Sequence, residues 1–322
     1  MRVAILDDYQ SIAKDMADWN SLSSTTISFF PDHLSQEHDL VSRLKDFDII
    51  MGMRERTPFP KSLIDQLPNL KLLITSGARN ASFDLEAATN QGILVCGTQG
   101  SGEGPTELTW GLILALLRNI PQEDRLTREG KWGTSVGIGL KGKTIGLLGL
   151  GHIGSLVAKI ANAFDMKVVA WSQNLTPERA EACDSTLVSK TELFQLSDIL
   201  SIHVRLSERT RGLVGEPELN LMKKTAYLIN ISRGPIVDES ALISHLESQQ
   251  LAGAGLDTFD VEPISPNHPL LSLPNVVLTP HIGYVTQEGY RAFYQGVVEN
   301  IKAFMSGEPI RVINQEVLNK KT

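Results

Sequence analysis

The sequence predicts an α/β protein built from two doubly wound, parallel-sheet domains. Short apolar, β-branched runs recur at regular intervals, as in parallel strands that are covered on both faces. The stretches between these runs carry apolar residues at helical spacing. The runs also form two series, separated by a glycine-rich segment at residues 98–105. The chain has 322 residues, more than the ~250–300 at which a single core usually stops growing.

The first series predicts a small sheet of four strands in the first hundred residues. These strands are Val3–Leu6, Ile49–Ile50, Leu72–Ile74 and Ile93–Val95.

The second series predicts six strands, enough for a complete dinucleotide-binding sheet. They are Thr144–Leu148, Val168–Trp171, Ile199–His203, Ala226–Asn230, Ala252–Leu256 and Val276–Thr279.

A last helix, marked by Phe293, Val297, Ile301 and Phe304, has no strand partner in the second series. We therefore expect it to return to the first domain. The predicted domains are residues 1–100 with 288–322, and residues 101–287.

Composition and charge exclude several functional classes. The formal net charge is −7 and no Lys/Arg run is present, which argues against a nucleic-acid partner. No run of ~18 apolar residues could span a membrane, and the start of the chain lacks the pattern of a secretory signal, so we expect a cytoplasmic protein. Cys96 and Cys183 form no CxxC pair and are expected to be buried thiols. No His, Cys, Asp or Glu cluster has metal-ligand spacing, so no metal is expected.

A glycine-rich turn follows the first strand of the second series. It places Gly149, Gly151 and Gly154 in a G-x-G-x-x-G pattern that follows a strand and opens an amphipathic helix. In this context Gly149 permits the tight turn, Gly151 lets the backbone approach a pyrophosphate, and Gly154 allows helix and strand to pack closely. The helix N-terminus then offers free N–H groups to the phosphates. The turn predicts a bound dinucleotide in a Rossmann domain.

The next strand leaves the choice between NAD and NADP open. An acidic residue usually ends this strand and binds the ribose 2′-hydroxyl, but Ser172 stands here, followed by Gln173. A 2′-phosphate is therefore not repelled, although no Arg follows immediately to bind it. We expect NAD or NADP, with NAD slightly favoured.

Three segments at predicted carboxyl ends of strands carry the chemistry. They are Asn230–Pro235 (NISRGP), Leu256–Pro263 (LDTFDVEP) and Thr279–Gly283 (TPHIG). Ligands of open α/β sheets bind at this edge. Together with the glycine turn, the ordered set resembles the D-isomer-specific 2-hydroxyacid dehydrogenases over nearly the whole chain. The resemblance implies that the Rossmann domain is inserted into a smaller, flavodoxin-like substrate domain.

Residue chemistry agrees with this resemblance. Arg233 can bind a carboxylate with planar, paired donors and polarise the carbonyl. His281 can act as general acid in reduction and as general base in oxidation. Glu262 beside it is expected to raise its pKa and fix its tautomer. Because His152 lies inside the glycine turn, we expect it to face the phosphates.

The resemblance also implies the remaining cofactor contacts. Asp257 is implied to contact the nicotinamide carboxamide. The predicted cofactor-binding set is Thr106, Gly149, Gly151, His152, Ile153, Gly154, Ser172, Gln173, Val204, Ile231, Arg233, Asp257, His281 and Gly283.

The substrate side departs from the family pattern. The segment Thr75–Asp84 matches the loop that binds the substrate carboxylate through backbone N–H groups, and Arg79 stands where many relatives have Gly. The predicted substrate-binding residues are Arg54, Ala78, Arg79, Arg233 and His281. Tyr284 stands where small residues are common, so it can shape the pocket.

We therefore predict an NAD(P)-dependent oxidoreductase that interconverts a small 2-keto acid and its D-2-hydroxy acid. We also expect a homodimer through the cofactor domain, with the helix around Leu112–Ile120 and the Trp132 region near the interface. The alternatives are an NAD(H)-sensing, co-repressor-like protein on the same fold, and a methyltransferase, in which Arg233, Glu262 and His281 would have no role.

Overall fold

A computed structural model describes residues 1–100 and 102–319. Ser101 and residues 320–322, which the predicted domain ranges include, lie outside the described residues. The strands are β1 Arg2–Ile5, β2 Thr26–Phe29, β3 Ile49–Gly52, β4 Leu72–Thr75, β5 Leu94–Gly97, β6 Thr144–Leu148, β7 Lys167–Trp171, β8 Thr186–Leu187, β9 Ile199–Ile202, β10 Tyr227–Asn230, β11 Gly253–Leu256 and β12 Val276–Leu278.

The α-helices alternate with these strands. They are α1 Ala13–Met16, α2 Glu37–Leu44, α3 Lys61–Ile64, α4 Leu85–Asn90, α5 Glu103–Leu117, α6 Ile120–Arg128, α7 His152–Ala163, α8 Pro177–Glu181, α9 Lys190–Leu196, α10 Glu216–Leu219, α11 Glu239–Glu247, α12 Gln287–Met305 and α13 Glu316–Asn319. None of these described helices is both long and apolar enough to cross a membrane.

The chain divides into two compact units. Unit 1 comprises Met1–Ser101 and Val285–Thr322, and unit 2 comprises Gly102–Tyr284. The boundaries expected from the sequence fall after residues 100 and 287 instead.

Unit 1 contains a five-stranded sheet in the order β2-β1-β3-β4-β5, with every neighbouring pair parallel. This is the order of flavodoxin-like doubly wound sheets. Strands β3, β4 and β5 are buried along their whole length. One face packs against α2, α3 and α4 through a core that includes Leu44, Leu63 and Ala87.

Unit 2 contains a seven-stranded parallel sheet in the order β12-β11-β10-β9-β6-β7-β8. The strand order reverses between β6 and β9, which is the switch point where open α/β sheets bind ligands. One apolar core joins α5 and α7 to the sheet through residues such as Leu112 and Val157. A second core includes Phe194 of α9 and Leu242 of α11. These features confirm the predicted α/β class.

Two strands, β2 and β8, were not predicted from the sequence, which indicated four strands in the first sheet and six in the second. β2 is an edge strand whose residues are only half-buried or exposed, so it lacks the continuous apolar run by which the others are recognised. β8 has two residues and is too short to show any periodicity.

One expectation about a single residue was wrong. Cys96 is buried as expected, whereas Cys183 is partly exposed. His245 is buried, and its two ring nitrogens bond to Ala241 O at 2.8 Å and Asn220 Oδ1 at 3.2 Å.

Candidate active site

The turn between β6 and α7 contains two glycines that the packing of the fold requires, Gly149 and Gly154, and one that it does not, Gly151. Gly149 has φ +105°, and a Cβ there would lie 2.9 Å from the carbonyl carbon of His203. A Cβ on Gly154 would lie 2.2 Å from Gly149 O. By contrast, a Cβ on Gly151 would meet nothing within 4 Å. Gly151 therefore leaves open space directly above the turn.

The start of α7 borders this space. Gly151 is the N-cap of the helix and makes no side-chain capping bond. Among the described residues, no acceptor takes the backbone N–H groups of His152, Ile153 or Gly154. Uncapped N–H groups at a helix N-terminus, next to a glycine without steric neighbours, fit the pyrophosphate of a dinucleotide.

His152 is exposed, and its ring lies beside the N-cap of α5. A Cβ on Gly102 would be only 2.5 Å from His152 Cδ2. The ring position is thus set in part by the absence of a side chain at Gly102.

His281 and Glu262 form the central contact of the site. Glu262 lies after β11 and His281 after β12, the next strand of the sheet. His281 Nδ1 lies 2.6 Å from Glu262 Oε2, and Glu262 Oε1 accepts the backbone N–H of Phe259 at 3.0 Å. With Nδ1 directed at a carboxylate, Nε2 is the ring nitrogen that can exchange a proton with a ligand.

Asp257 holds the backbone around His281. Its carboxylate is fully buried and accepts from Thr279 Oγ1 at 2.6 Å, Ile282 N at 2.8 Å and Gly283 N at 2.9 Å. His281 itself has φ +54°, a left-handed conformation that non-glycine residues adopt only when their surroundings impose it. Burial raises the pKa of Asp257, whereas these three hydrogen bonds lower it.

This anchoring role was not predicted from the sequence, because the family resemblance implied only a cofactor contact for Asp257. The sequence does contain a signal for this role, because Thr279 stands two residues before His281 and Gly283 two residues after it. The hydroxyl of the threonine and the unhindered backbone N–H of the glycine are suitable donors to one carboxylate.

Arg233 follows β10, the neighbour of β11. Asn230 Nδ2 donates to Arg233 O at 2.9 Å, and Arg233 Nη1 donates to Ser232 O at 2.6 Å. A Cβ on Gly234 would lie 2.1 Å from the carbonyl carbon of Phe259. The loop that carries Arg233 therefore packs directly on the loop that carries Glu262. The structure brings the loops of the predicted trio together on β10, β11 and β12.

The other predicted cofactor residues of unit 2 differ in accessibility. Thr106 is buried in α5, and its hydroxyl donates to Gly102 O. Ile231 is buried in the apolar core. Val204 follows β9, and its carbonyl accepts the Ser232 hydroxyl. Ser172 is partly exposed and Gln173 is exposed, directly after β7.

The predicted substrate residues Arg54, Ala78 and Arg79 belong to unit 1. Arg54 Nη1 donates to Ser76 O at 3.2 Å, at the start of the loop that contains Ala78 and Arg79. Gly77 lies under the guanidinium, since a Cβ there would be 2.0 Å from Nη1. Ala78 and Arg79 are exposed. The structure thus places Arg54 and this loop together within unit 1, and the Arg233, Glu262 and His281 loops together within unit 2.

No group of three or more His, Cys, Asp or Glu side chains among residues 1–100 and 102–319 is arranged to hold a metal ion.

Comparisons with known proteins agree with this geometry. Residues 110–283 match the family described as D-isomer specific 2-hydroxyacid dehydrogenase, NAD binding domain. The chain is 40% identical to a glyoxylate reductase of Aeropyrum pernix over 267 residues, which cover 80% of each chain. It is also 40% identical to a glyoxylate reductase of Thermococcus litoralis over 290 residues, 87% of each.

Among solved structures, a putative D-3-phosphoglycerate dehydrogenase from Ralstonia solanacearum is similar over 98% of both chains. The TM-score is 0.93 and the sequence identity 36%.

Proposed function

The chain belongs to the D-isomer-specific 2-hydroxyacid dehydrogenase family, and we propose that it reduces a small 2-keto acid to the D-2-hydroxy acid and catalyses the reverse oxidation. The family makes it an oxidoreductase that acts on CH–OH donors with a nicotinamide cofactor. The observation that carries the proposal is the 2.6 Å contact between His281 Nδ1 and Glu262 Oε2. These residues lie in the loops after β12 and β11, and Arg233 lies in the loop after β10, the other neighbour of β11.

Each member of the trio has a separate task. Arg233 binds the substrate carboxylate and polarises the carbonyl through its planar donors. Glu262 fixes the tautomer with a proton on Nδ1, which directs Nε2 to the substrate oxygen. In reduction His281 gives its Nε2 proton to the carbonyl oxygen, and in oxidation it takes the hydroxyl proton back. The nicotinamide, when bound, supplies or accepts the hydride at the adjacent carbon.

Asp257 takes part indirectly. Its three hydrogen bonds hold the turn that presents His281. A contact to the nicotinamide carboxamide remains an implication of the family resemblance.

Unit 1 supplies candidate substrate contacts. The exposed loop at Ala78 and Arg79, together with Arg54, offers backbone and guanidinium donors to an anionic substrate. Two of the relatives described above are named for glyoxylate, so glyoxylate is the first 2-keto acid to test.

We propose that both NADH and NADPH are accepted, with NADH slightly preferred. Ser172 carries no charge that would repel a 2′-phosphate, and no Arg follows it directly to favour one.

We propose a homodimer formed through unit 2. Trp132 is 87% exposed and Val136 96% exposed, which is costly for large apolar side chains in a lone subunit. The segment Leu112–Ile120 contributes less than expected, since Leu112, Leu116 and Leu117 are buried inside unit 2. Ile120 is the exposed apolar residue of this segment.

The function is tested by a screen of 2-keto acids with NADH and NADPH, combined with His281→Ala. We expect cofactor oxidation with at least one acid, and a fall in kcat of about 10²- to 10⁴-fold in the variant, the usual contribution of a general acid. NADH affinity, measured by fluorescence titration, should stay within about twofold of wild type, less than 0.5 kcal/mol.

Full activity in His281→Ala would refute the assigned role. If the wild-type protein binds NADH but oxidises it with no keto acid, the enzyme assignment itself fails. The relatives compared above are named as reductases and dehydrogenases, so the sensor alternative is not favoured.

A further inference from the structure

A second ring lies against the imidazole of His281. The ring centroids of His281 and Tyr284 are 5.6 Å apart, with an interplanar angle of 78°. This edge-to-face arrangement is a preferred geometry for interacting rings. The Tyr284 hydroxyl oxygen is also buried, so the tip of this partly buried side chain points into protein rather than into solvent.

The backbone explains how two residues three positions apart come to face each other. Asp257 accepts the consecutive N–H groups of Ile282 and Gly283. His281 N donates to Thr279 O at 3.0 Å, and His281 adopts a left-handed φ of +54°. The turn between the two rings is therefore pinned to a buried carboxylate.

The hydrogen bond to Glu262 does not fix the imidazole completely. The ring turns about the Cα–Cβ and Cβ–Cγ bonds, and one hydrogen bond limits these rotations without removing them, because it tolerates a range of lengths and angles. The remaining rotation moves Nε2, the atom that must meet the substrate oxygen. A ring packed against the imidazole restricts this rotation, because turning would bring the two rings into overlap.

We propose that Tyr284 is a positioning residue for the general acid, and that its aromatic ring, rather than its hydroxyl, aims His281 Nε2 at the substrate. The proposal rests on the proposed function of His281. Tyr284 does not itself exchange a proton or contact the hydride.

The test compares Tyr284→Phe, which keeps the ring, with Tyr284→Leu and Tyr284→Met, which keep apolar bulk without a ring. Steady-state kinetics are measured on the full-length protein with the best 2-keto acid of the screen. We expect kcat to fall about 10- to 100-fold in the Leu and Met variants, because small misplacements of a reacting group have effects of this size. Tyr284→Phe should stay within about threefold of wild type, under 1 kcal/mol.

Two further readouts separate positioning from general damage. With NADH deuterated at the transferred position, the kinetic isotope effect on kcat should rise in the Leu and Met variants, because proton and hydride transfer become slower than product release. NADH affinity should remain at the wild-type value. A matched control is Tyr227→Leu, which removes a half-buried ring at the start of β10 and should leave kcat and the isotope effect unchanged.

The outcomes are distinguishable. If Phe, Leu and Met variants all retain wild-type kcat, or if Phe loses as much as Leu, the proposed role of the ring is wrong. If Leu does not fold, Met and Phe still decide the question. If the wild-type chain reduces no keto acid while it binds NADH, the proposed function fails before Tyr284 is tested.

Discussion

At the residue scale, the proposed cofactor preference depends on Ser172. It follows β7 and is partly exposed, where a carboxylate would bind the 2′-hydroxyl of NAD and repel the 2′-phosphate of NADP.

Introducing that carboxylate should therefore shift cofactor preference. In Ser172→Asp we expect the ratio of kcat/KM for NADH to that for NADPH to rise by at least about tenfold, equivalent to about 1.4 kcal/mol. Ser172→Asn, similar in size but neutral, should change the ratio little. An equal shift in both variants would show that size, and not charge, determines the preference.

A second residue-scale feature is His203, behind the glycine turn. Its Nε2 bonds to Ser201 Oγ at 2.9 Å, whereas its Nδ1 is buried without a hydrogen-bond partner among the described residues. Burial lowers the pKa of His203 from 6.5 to about 4, so the ring is neutral in the folded protein at neutral pH.

This histidine should make unit 2 sensitive to acid. Between pH 6.5 and 4 the unfolded chain binds a proton at His203 and the folded chain does not, so stability is present above pH 6.5 and is lost as the pH falls. The loss attributable to His203 is up to about 3 kcal/mol. Chemical denaturation of His203→Asn across this range should show a shallower loss than wild type. His38→Asn, at an exposed histidine, should keep the wild-type slope, and an unchanged slope in His203→Asn would contradict the prediction.

At the scale of elements, the β6–α7 turn has two requirements, close packing of the chain at Gly154 and open space for the cofactor at Gly151, and mutation can test each of them alone. Gly154 is needed for the turn to pack, since its Cβ would overlap Gly149 O. Gly151 has no neighbour within 4 Å, so the folded chain alone gives no steric reason for glycine there.

The two alanine variants should therefore differ. Gly154→Ala is expected to destabilise the protein by about 1–3 kcal/mol, as is typical of overpacking, and to lower the melting temperature. Gly151→Ala should melt like wild type but bind NADH at least about tenfold more weakly, because the added methyl group occupies the space above the turn. Calorimetry and fluorescence titration measure the two effects. Wild-type NADH affinity in Gly151→Ala would mean that the pyrophosphate lies elsewhere.

At the scale of the whole molecule, the apolar side chains left exposed on unit 2 predict association. Replacing Trp132 and Val136 together by Ser should shift sedimentation from dimer to monomer, since it removes the most exposed large apolar groups of the unit. Met305→Ser, at an exposed apolar position of unit 1, should leave the dimer intact. A monomeric wild-type protein at micromolar concentration would contradict the proposal.

Much of the architecture was predictable because its signals are local. Buried parallel strands require continuous apolar runs, and helices on a sheet require apolar residues at 3.6-residue spacing. Both patterns are visible along the chain. The edge strand Thr26–Phe29 was missed because it is largely uncovered and has no such requirement.

The α/β class followed from the sequence alone, which also predicted the dinucleotide turn and the trio Arg233, Glu262 and His281, because each depends on residue type at short spacing. The way in which His281 is held is visible only in the three-dimensional structure. Asp257 and Glu262 come from the loop after β11 and meet the histidine loop after β12, and the Tyr284 ring faces His281 only because that turn is pinned. These contacts depend on side-chain direction and burial across neighbouring strands, which no pattern along a single chain specifies.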